Sequence, residues 1–479
     1  MLTKKIKNLG TSSFLYSLPQ LVGLLGSLVF IPIFTKYLSP AEFGVFAIMS
    51  VIIGMGLSIS SLKIESGLYR YQSQYEGSSR REFLGTLFIA KSLLGLIVSI
   101  LFFILFFVLY YFESGFKDLP FFPFIPAASI IIFLISSSGF QLAVYVSEEK
   151  PKIVTIIQVV SFFLLNFLAL FFVIKSGDGV WGRFKSMLII EILTFILMNF
   201  LAVYKIDFRF KKKYFMRSIK FSLPLYLSDF VNLVYAYTDR IVLSYFEDLS
   251  KVGFLYISDK IAILIQSLFR AVEKSVTPYI FNTKDLEIQK TSLENLYIIW
   301  TSIASIILLL LLILSEVFIK QFLENSYHDP AVFIAVKILA VAYFLTTIYP
   351  FFSIAIGIAE KTKYLLNITT ASAVLNFLLN LTLIPIYGWL AAPFTTLLCC
   401  ILTSLYLGYI ALKKTRVRFN YSFIFIVLSI TLAIYYLLDQ LFIDDSFFDV
   451  TLRIIIGSSL LSLILMKVFK VQEKIKKIL

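Results

Sequence analysis

Charge and sulfur are what this sequence has least of. Only 15% of its residues are charged, against about a quarter in soluble domains, which excludes an ordinary water-exposed globule. Its two cysteines, Cys399 and Cys400, are adjacent in an apolar run, so there is neither a disulfide framework nor a spaced set of thiol ligands. The single histidine, His328, sits beside Asp329-Pro330 and makes neither a metal site nor a proton relay. No Gly-rich Lys-Ser/Thr phosphate loop, no G-x-S-x-G elbow and no H-E-x-x-H helix occurs. These absences argue against an ATP-driven pump or a hydrolase, and no metal, resident cofactor or enzymatic activity is expected.

What fills the space is hydrocarbon. The hydrophobic set makes up 59% of the chain, with 50 Phe and 27 Tyr, and the mean hydropathy is +0.90. At about 20 apolar residues per span, the 479 residues accommodate a dozen or more membrane crossings and little else. Apolar runs bounded by charged or Pro/Gly-containing connections predict fourteen helices, over 12–35, 42–62, 84–111, 121–146, 152–174, 180–204, 220–246, 252–271, 295–318, 331–358, 364–386, 388–411, 421–440 and 447–466. The run after the basic segment 1–10 contains Pro19, is too long for a signal peptide and shows no cleavage site, so it reads as a retained first span. The expected fold is an all-α integral membrane bundle of about 14 helices.

The charges orient that bundle. Of 43 Lys and Arg residues, 31 fall in the termini and the connections on one side, and eight (Lys36, Lys117, Lys175, Arg183, Lys185, Lys251, Lys320, Arg453) on the other. By the positive-inside rule both termini are cytoplasmic. Most of the net charge of +14 is thereby topological. The longest basic run, 205–220 with Lys211, Lys212 and Lys213, reads as a cytoplasmic linker near anionic headgroups, and no nucleic acid is expected as a partner.

That linker separates two sets of six spans that echo one another. Glu149-Lys150-Pro151-Lys152 before span 5 matches Glu360-Lys361-Thr362-Lys363 before span 11. Each is followed by an Asn-bearing span and a Gly/Trp turn, Gly179-Val180-Trp181-Gly182 and Gly388-Trp389-Leu390-Ala391. Leu38-Ser39-Pro40-Ala41-Glu42-Phe43-Gly44 likewise echoes Leu249-Ser250-Lys251-Val252-Gly253. Because six is even, the halves share orientation and are expected to relate by a pseudo-two-fold along the membrane normal, as in transporters with a central cavity. The organisation read from this is a six-helix lobe (1–204), the basic linker (205–219), a second six-helix lobe (220–412), and two additional helices with a basic cytoplasmic tail (413–479).

Several of these segments resemble a known family. Thr35-Lys36-Tyr37-Leu38-Ser39-Pro40-Ala41-Glu42-Phe43-Gly44, Phe221-Ser222-Leu223-Pro224 followed by Thr238-Asp239-Arg240 and Val252-Gly253-Phe254-Leu255-Tyr256, and the run Leu375 to Gly388 resemble signatures of Wzx-type polysaccharide repeat-unit flippases, which serve O-antigen and capsule synthesis. These form the polysaccharide transporter family of the multidrug/oligosaccharidyl-lipid/polysaccharide exporter superfamily. Where members commonly carry a Gly-Ala-Ala-like turn, this chain has Trp389-Leu390-Ala391-Ala392-Pro393. The resemblance implies transfer of undecaprenyl-diphosphate-linked oligosaccharide to the outer leaflet of the bacterial inner (plasma) membrane, with a polymerase and a chain-length regulator as pathway partners. Alternatives are an ion-coupled multidrug or metabolite antiporter of the same superfamily and, against the short outer loops, a membrane glycosyltransferase or polymerase.

A lipid-linked diphosphate needs cations inside the membrane, where ionisable residues mark pathways. Four lie well inside the predicted spans, away from their ends: Arg240, Lys260, Lys91 and Lys337. In span 7, Asp229, Asn232, Ala236 and Arg240 fall on one stripe with Asp239 beside it; in span 8, Asp259, Ile263, Gln266 and Arg270 repeat the pattern, flanked by Lys260. Such stripes are wet or buried. Pairing of Asp239 or Arg240 with Lys260 or Asp259 would neutralise charge, and substrate contact is compatible with it. Lys63, Arg70 and Arg270 are placed to attract phosphates at the cytoplasmic mouth or to form a solvated face. Glu65, Glu191, Asp229, Asp239 and Asp259 are candidates for coupling to a proton or sodium ion, because a buried carboxyl holds a proton more tightly than a solvated one. Asn376 and Asn380, one turn apart, bond either sugar hydroxyls or a neighbouring helix.

Overall fold

The computed structural model describes residues 2–112, 120–282, 285–415, 417, 419–442 and 447–478. Among them there are helices and no strand. In order these are α1 (Leu2–Thr35), α2 (Pro40–Ser61), α3 (Ile64–Tyr71), α4 (Gly77–Phe112), α5 (Phe124–Ser147), α6 (Pro151–Leu170, continued by a π-helical turn, Phe171–Lys175), α7 (Gly179–Ala202), α8 (Lys212–Phe246) and α9 (Leu249–Ala262). There follow α10 (Leu264–Asn282), α11 (Leu286–Phe322), α12 (Pro330–Thr346), α13 (Tyr349–Ile358), α14 (Lys363–Tyr387), α15 (Ala391–Lys414), α16 (Tyr421–Leu441) and α17 (Phe447–Ile478). Twelve spans are long and apolar enough to cross a membrane, one of them the broken pair α12 and α13, and the pair α9 and α10, bent by 43°, makes a thirteenth. The remaining predicted span, 220–246, lies in α8, a continuous 35-residue helix whose polar stripe lowers its hydropathy. The chain is thus an all-α, multi-pass membrane protein.

The helices begin and end where local chemistry dictates. Ser39 caps α2 in a reciprocal box with Glu42, and Pro40 supplies the first helical residue. Asp285, Asp329 and Asn420 cap α11, α12 and α16 with side-chain oxygens. The α5 and α13 ends are closed by the same left-handed turn: Glu149 and Glu360 adopt φ of 55° and 57°. Around them Lys150 N donates to Tyr145 O, and Lys361 N to Ile356 O, both at 3.0 Å. These bonds satisfy carbonyls that a helix end would otherwise orphan. Every atom in the second set is 211 residues beyond its counterpart in the first, so the repeat in the sequence is a repeat in hydrogen bonding.

The chain divides into two compact units, Met1–Tyr256 with Asn380–Trp389, and Ile257–Leu379 with Leu390–Leu479. The basic linker belongs with the first. Asp207 N donates to Arg81 O at 3.1 Å, and Thr86 Oγ1 at once donates to Arg209 O and accepts from Lys211 N, each at 3.1 Å. Gly85 makes this close approach affordable, since a Cβ there would lie 1.7 Å from Asp207 O. Segment 205–211 is therefore strapped to the start of α4 rather than hanging free.

In the first unit the two echoed segments meet. A Cβ on Gly44 of α2 would fall 1.9 Å from Leu249 O, and one on Gly253 of α9 would fall 1.9 Å from Pro40 O. Two helix starts can approach this closely only because each lacks a side chain at the contact. Glu42 also accepts from Val180 N at 3.0 Å, tying α2 to α7.

Candidate functional site

A break in the first unit comes between α2 and α3, where Leu62 and Lys63 take φ of 40° and 54° without glycine. The turn sends Lys63 to Asp229 of α8 at 2.6 Å and places α3 so that Glu65 reaches Lys91 of α4 at 2.7 Å. Ser61 adds a bond to Glu65 at 3.1 Å. The two pairs differ in setting: Lys91 is buried, whereas Asp229 and Lys63 remain open, with side chains 53% and 33% exposed. A buried pair is structural first. An open pair has partners to exchange. Arg70 is exposed on α3, and Arg217 stacks on Tyr71 at 4.4 Å.

Along α8, Asp229, Asn232 and Ala236 are exposed on one stripe and Arg240 is partly buried one turn further on. Asp239 accepts from Arg240 N at 2.8 Å, and the Arg240 guanidinium lies 5.7 Å from the Tyr256 ring. Beyond that ring comes a residue the sequence reading had placed in an outer connection. Arg183 of α7 is held between Phe34 and Phe46, 4.2 Å from each ring centre, and Phe46 meets Tyr256 edge-on at 5.8 Å. Its Nε is buried without a hydrogen-bond partner among the described residues. The signal available beforehand was weak, because Arg183 lies only four residues inside α7.

In the second unit the span-8 stripe is engaged by α12. Tyr343 donates to Asp259, which is buried, and Gln266 donates to Thr346 at 2.7 Å. The bend between α9 and α10 separates these two contacts. Lys260 is partly buried, and Arg270 is exposed. Lys337 lies elsewhere, 2.9 Å from Glu316 of α11 and 5.3 Å from the Tyr435 ring of α16. Lys320 shares Glu316 at 2.9 Å. This group braces the additional C-terminal helices. Asn376 and Asn380 are both buried, and close by Ser372 bonds Thr403 at 2.6 Å, the setting of side chains that hold helices together.

Outside the spans, Glu148 collects Arg80 at 3.1 Å, Lys150 at 2.8 Å and Lys205 at 2.7 Å. Burial pushes its carboxyl pKa up, but the hydrogen bonds and charges of Lys150 and Lys205 outweigh burial and hold it below the usual value. No group of three His, Cys, Asp or Glu fit to hold a metal occurs among the described residues. What the arrangement offers is chemistry of binding: cations, carboxylates and amides along polar helix faces.

Residues 9–284, more than half of the chain, match a family described as polysaccharide biosynthesis protein. None of the curated proteins matches. Among solved structures, the chain is similar to the lipid II flippase MurJ in an inward closed conformation, with a TM-score of 0.76 at 18% identity, covering 95% of this chain and 98% of that one. An inward-facing multidrug resistance MATE family transporter of the MOP superfamily gives 0.60 at 14%, covering 83% and 94%. A MATE transporter of Vibrio cholerae gives 0.59 at 13%, covering 85% and 97%. At such identities the likeness is one of fold.

Proposed function

We propose that this chain, which belongs to the polysaccharide biosynthesis protein family, moves undecaprenyl-diphosphate-linked oligosaccharide units from the cytoplasmic to the outer leaflet of the bacterial inner (plasma) membrane by alternating access. The observation that carries the reading is the stripe of α8, where Asp229 and Asn232 stand exposed on a helix long enough to span a membrane and Arg240 follows on the same face. Lipid would reject such a face, whereas a hydrated path for a glycan and its diphosphate requires one. The fold likeness to a lipid II flippase supports a lipid-linked substrate.

In this mechanism Arg240 and Lys260 replace the water around the diphosphate, as charge-assisted donors do for phosphates generally. Lys63, Arg70 and Arg270 attract it at the cytoplasmic mouth, with Lys63 exchanging Asp229 for a phosphate oxygen. Asn232 and Gln266 meet hydroxyls. Lys91 and Lys337, each already paired to a glutamate, hold helices in place. The seam between α2 and α9 at Gly44 and Gly253 parts when the opposite-facing state forms. Both termini face the cytoplasm, and a polymerase and chain-length regulator act downstream. The fold likeness to MATE transporters gives a second reading, an ion-coupled antiporter; the basic side chains weigh against cationic drugs as its cargo.

Deletion of the gene followed by location of the undecaprenyl-linked intermediate tests the first reading. A complete unit accumulating on the cytoplasmic leaflet is the expected result, and an incomplete unit would point to synthesis instead. Arg240→Ala and Lys260→Ala should each reduce surface polysaccharide export at unchanged protein level; normal export by both single variants and the double variant would remove the phosphate role.

A further inference from the structure

Within the first unit, α1, α5, α6 and α7 line an open cleft of about 590 Å³. Its wall is mostly apolar but carries Tyr16, Gln20, Ser138, Gln158, Ser161 and Thr194, and one ionisable acid, Glu191. Glu191 is the thirteenth of the 24 residues of α7 and so lies near the middle of that span. Its carboxyl is partly buried and makes no ion pair or hydrogen bond with any described residue. Every other intramembrane acid named above has a partner. Glu65 has Lys91, Asp229 has Lys63, Asp259 has Tyr343 and Asp239 has the Arg240 amide.

An isolated carboxylate at mid-membrane depth is costly, and the cost is removed when a cation joins it. The groups that face Glu191 settle which cation. From α5 and α6 only amide, hydroxyl and apolar side chains line the cleft, and from α1 the one titratable group is Tyr16, whose hydroxyl donates toward Val146 O at 3.4 Å. Among the described residues no basic side chain lines it. A sodium ion requires several oxygens converging on one point, and a carboxyl engaged with no neighbour in a cleft this roomy is not part of such a cage. A proton requires only the carboxyl itself and water to reach it.

We propose that Glu191 is a proton-binding site through which the first unit takes up and releases the ion that drives transport. This rests on the transport reading given above. Protonation turns a hydrated, charged wall into a neutral one and so changes which packing of α1, α5, α6 and α7 is favoured; a ligand shifts a conformational equilibrium by its differential affinity for the two states.

The test uses the full-length protein in lipid nanodiscs and dicyclohexylcarbodiimide, which modifies protonated carboxyls in apolar surroundings, with peptide mapping of the modified residue. Modification of Glu191 is expected to rise as pH falls and to be insensitive to sodium. Sodium protection at constant pH, or modification of other intramembrane acids with Glu191 untouched, would overturn the proposal. Infrared titration supplies a second reading: a protonated-carboxyl band should be lost in Glu191→Gln and shifted in Glu191→Asp, and a band unchanged in Glu191→Gln would also overturn it. In cells, collapse of the proton gradient should lower export by the wild type, and Glu191→Gln should abolish that dependence. Normal placement of the lipid-linked unit after gene deletion, with the labelling intact, would reject the flippase reading and leave the proton site standing.

Discussion

The charged residues inside this protein separate by what surrounds them, not by type. Lys91 and Asp229 both fall inside predicted spans, yet Lys91 is buried against Glu65 while Asp229 stands open beside Lys63. Removing one member of a buried pair leaves an uncompensated charge and costs about 3–5 kcal/mol. Glu65→Gln should therefore lower the melting temperature in detergent, and adding Lys91→Met should recover most of the loss. A Glu65→Gln protein that melts like the wild type would show the pair to be dispensable. These pairings were illegible beforehand because they join distant positions: Lys63 and Asp229 meet only because a left-handed turn at Leu62 and Lys63 redirects the chain. His328 is similar. It is followed in sequence by Asp329 and Pro330, but its ring nitrogen lies 3.0 Å from Ile319 O at the end of α11.

Helices were easier to read than their breaks. The fourteen apolar runs correspond to α1, α2, α4 to α8, the pair α9 and α10, α11, the pair α12 and α13, and α14 to α17. Missing from that reading was α3, an amphipathic eight-residue helix with too little apolar surface to register as a span and no glycine to mark its start. The bend at Ile263 was equally silent, since neither proline nor glycine lies there. Where glycine does punctuate the chain it carries a consequence for packing. Gly44→Ala would place a methyl 1.9 Å from Leu249 O, so α2 and α9 must move apart. With spin labels at Ala41 and Ser250, the variant should give longer and broader distances than the wild type. An unchanged distribution would mean that the seam yields elsewhere.

At the scale of the whole molecule, hydropathy and charge placement carried most of the information. Membrane proteins expose their architecture in sequence because the bilayer sets span length and the cytoplasm retains basic loops. Reporter fusions at 77–80, 148–150 and 361–363 should all report cytoplasmic, as should both termini; an outside report at any of them would invert the assignment of the mouth. The basic connection 205–219 looked like the natural boundary between halves. In the structure it lies within the first unit, where Arg81 and Thr86 bond its backbone and Gly85 leaves room for it.

The contact at Gly44 and Gly253 has a form that subunit interfaces share. Each segment offers a helix start to the other, a glycine against a carbonyl and the same in return. In an assembly of identical chains this is an isologous contact, self-complementary about a two-fold. Here both partners are segments of one polypeptide. A side chain added on either side therefore meets the same obstacle, a backbone carbonyl 1.9 Å away, and neither glycine can be replaced without the other side giving way.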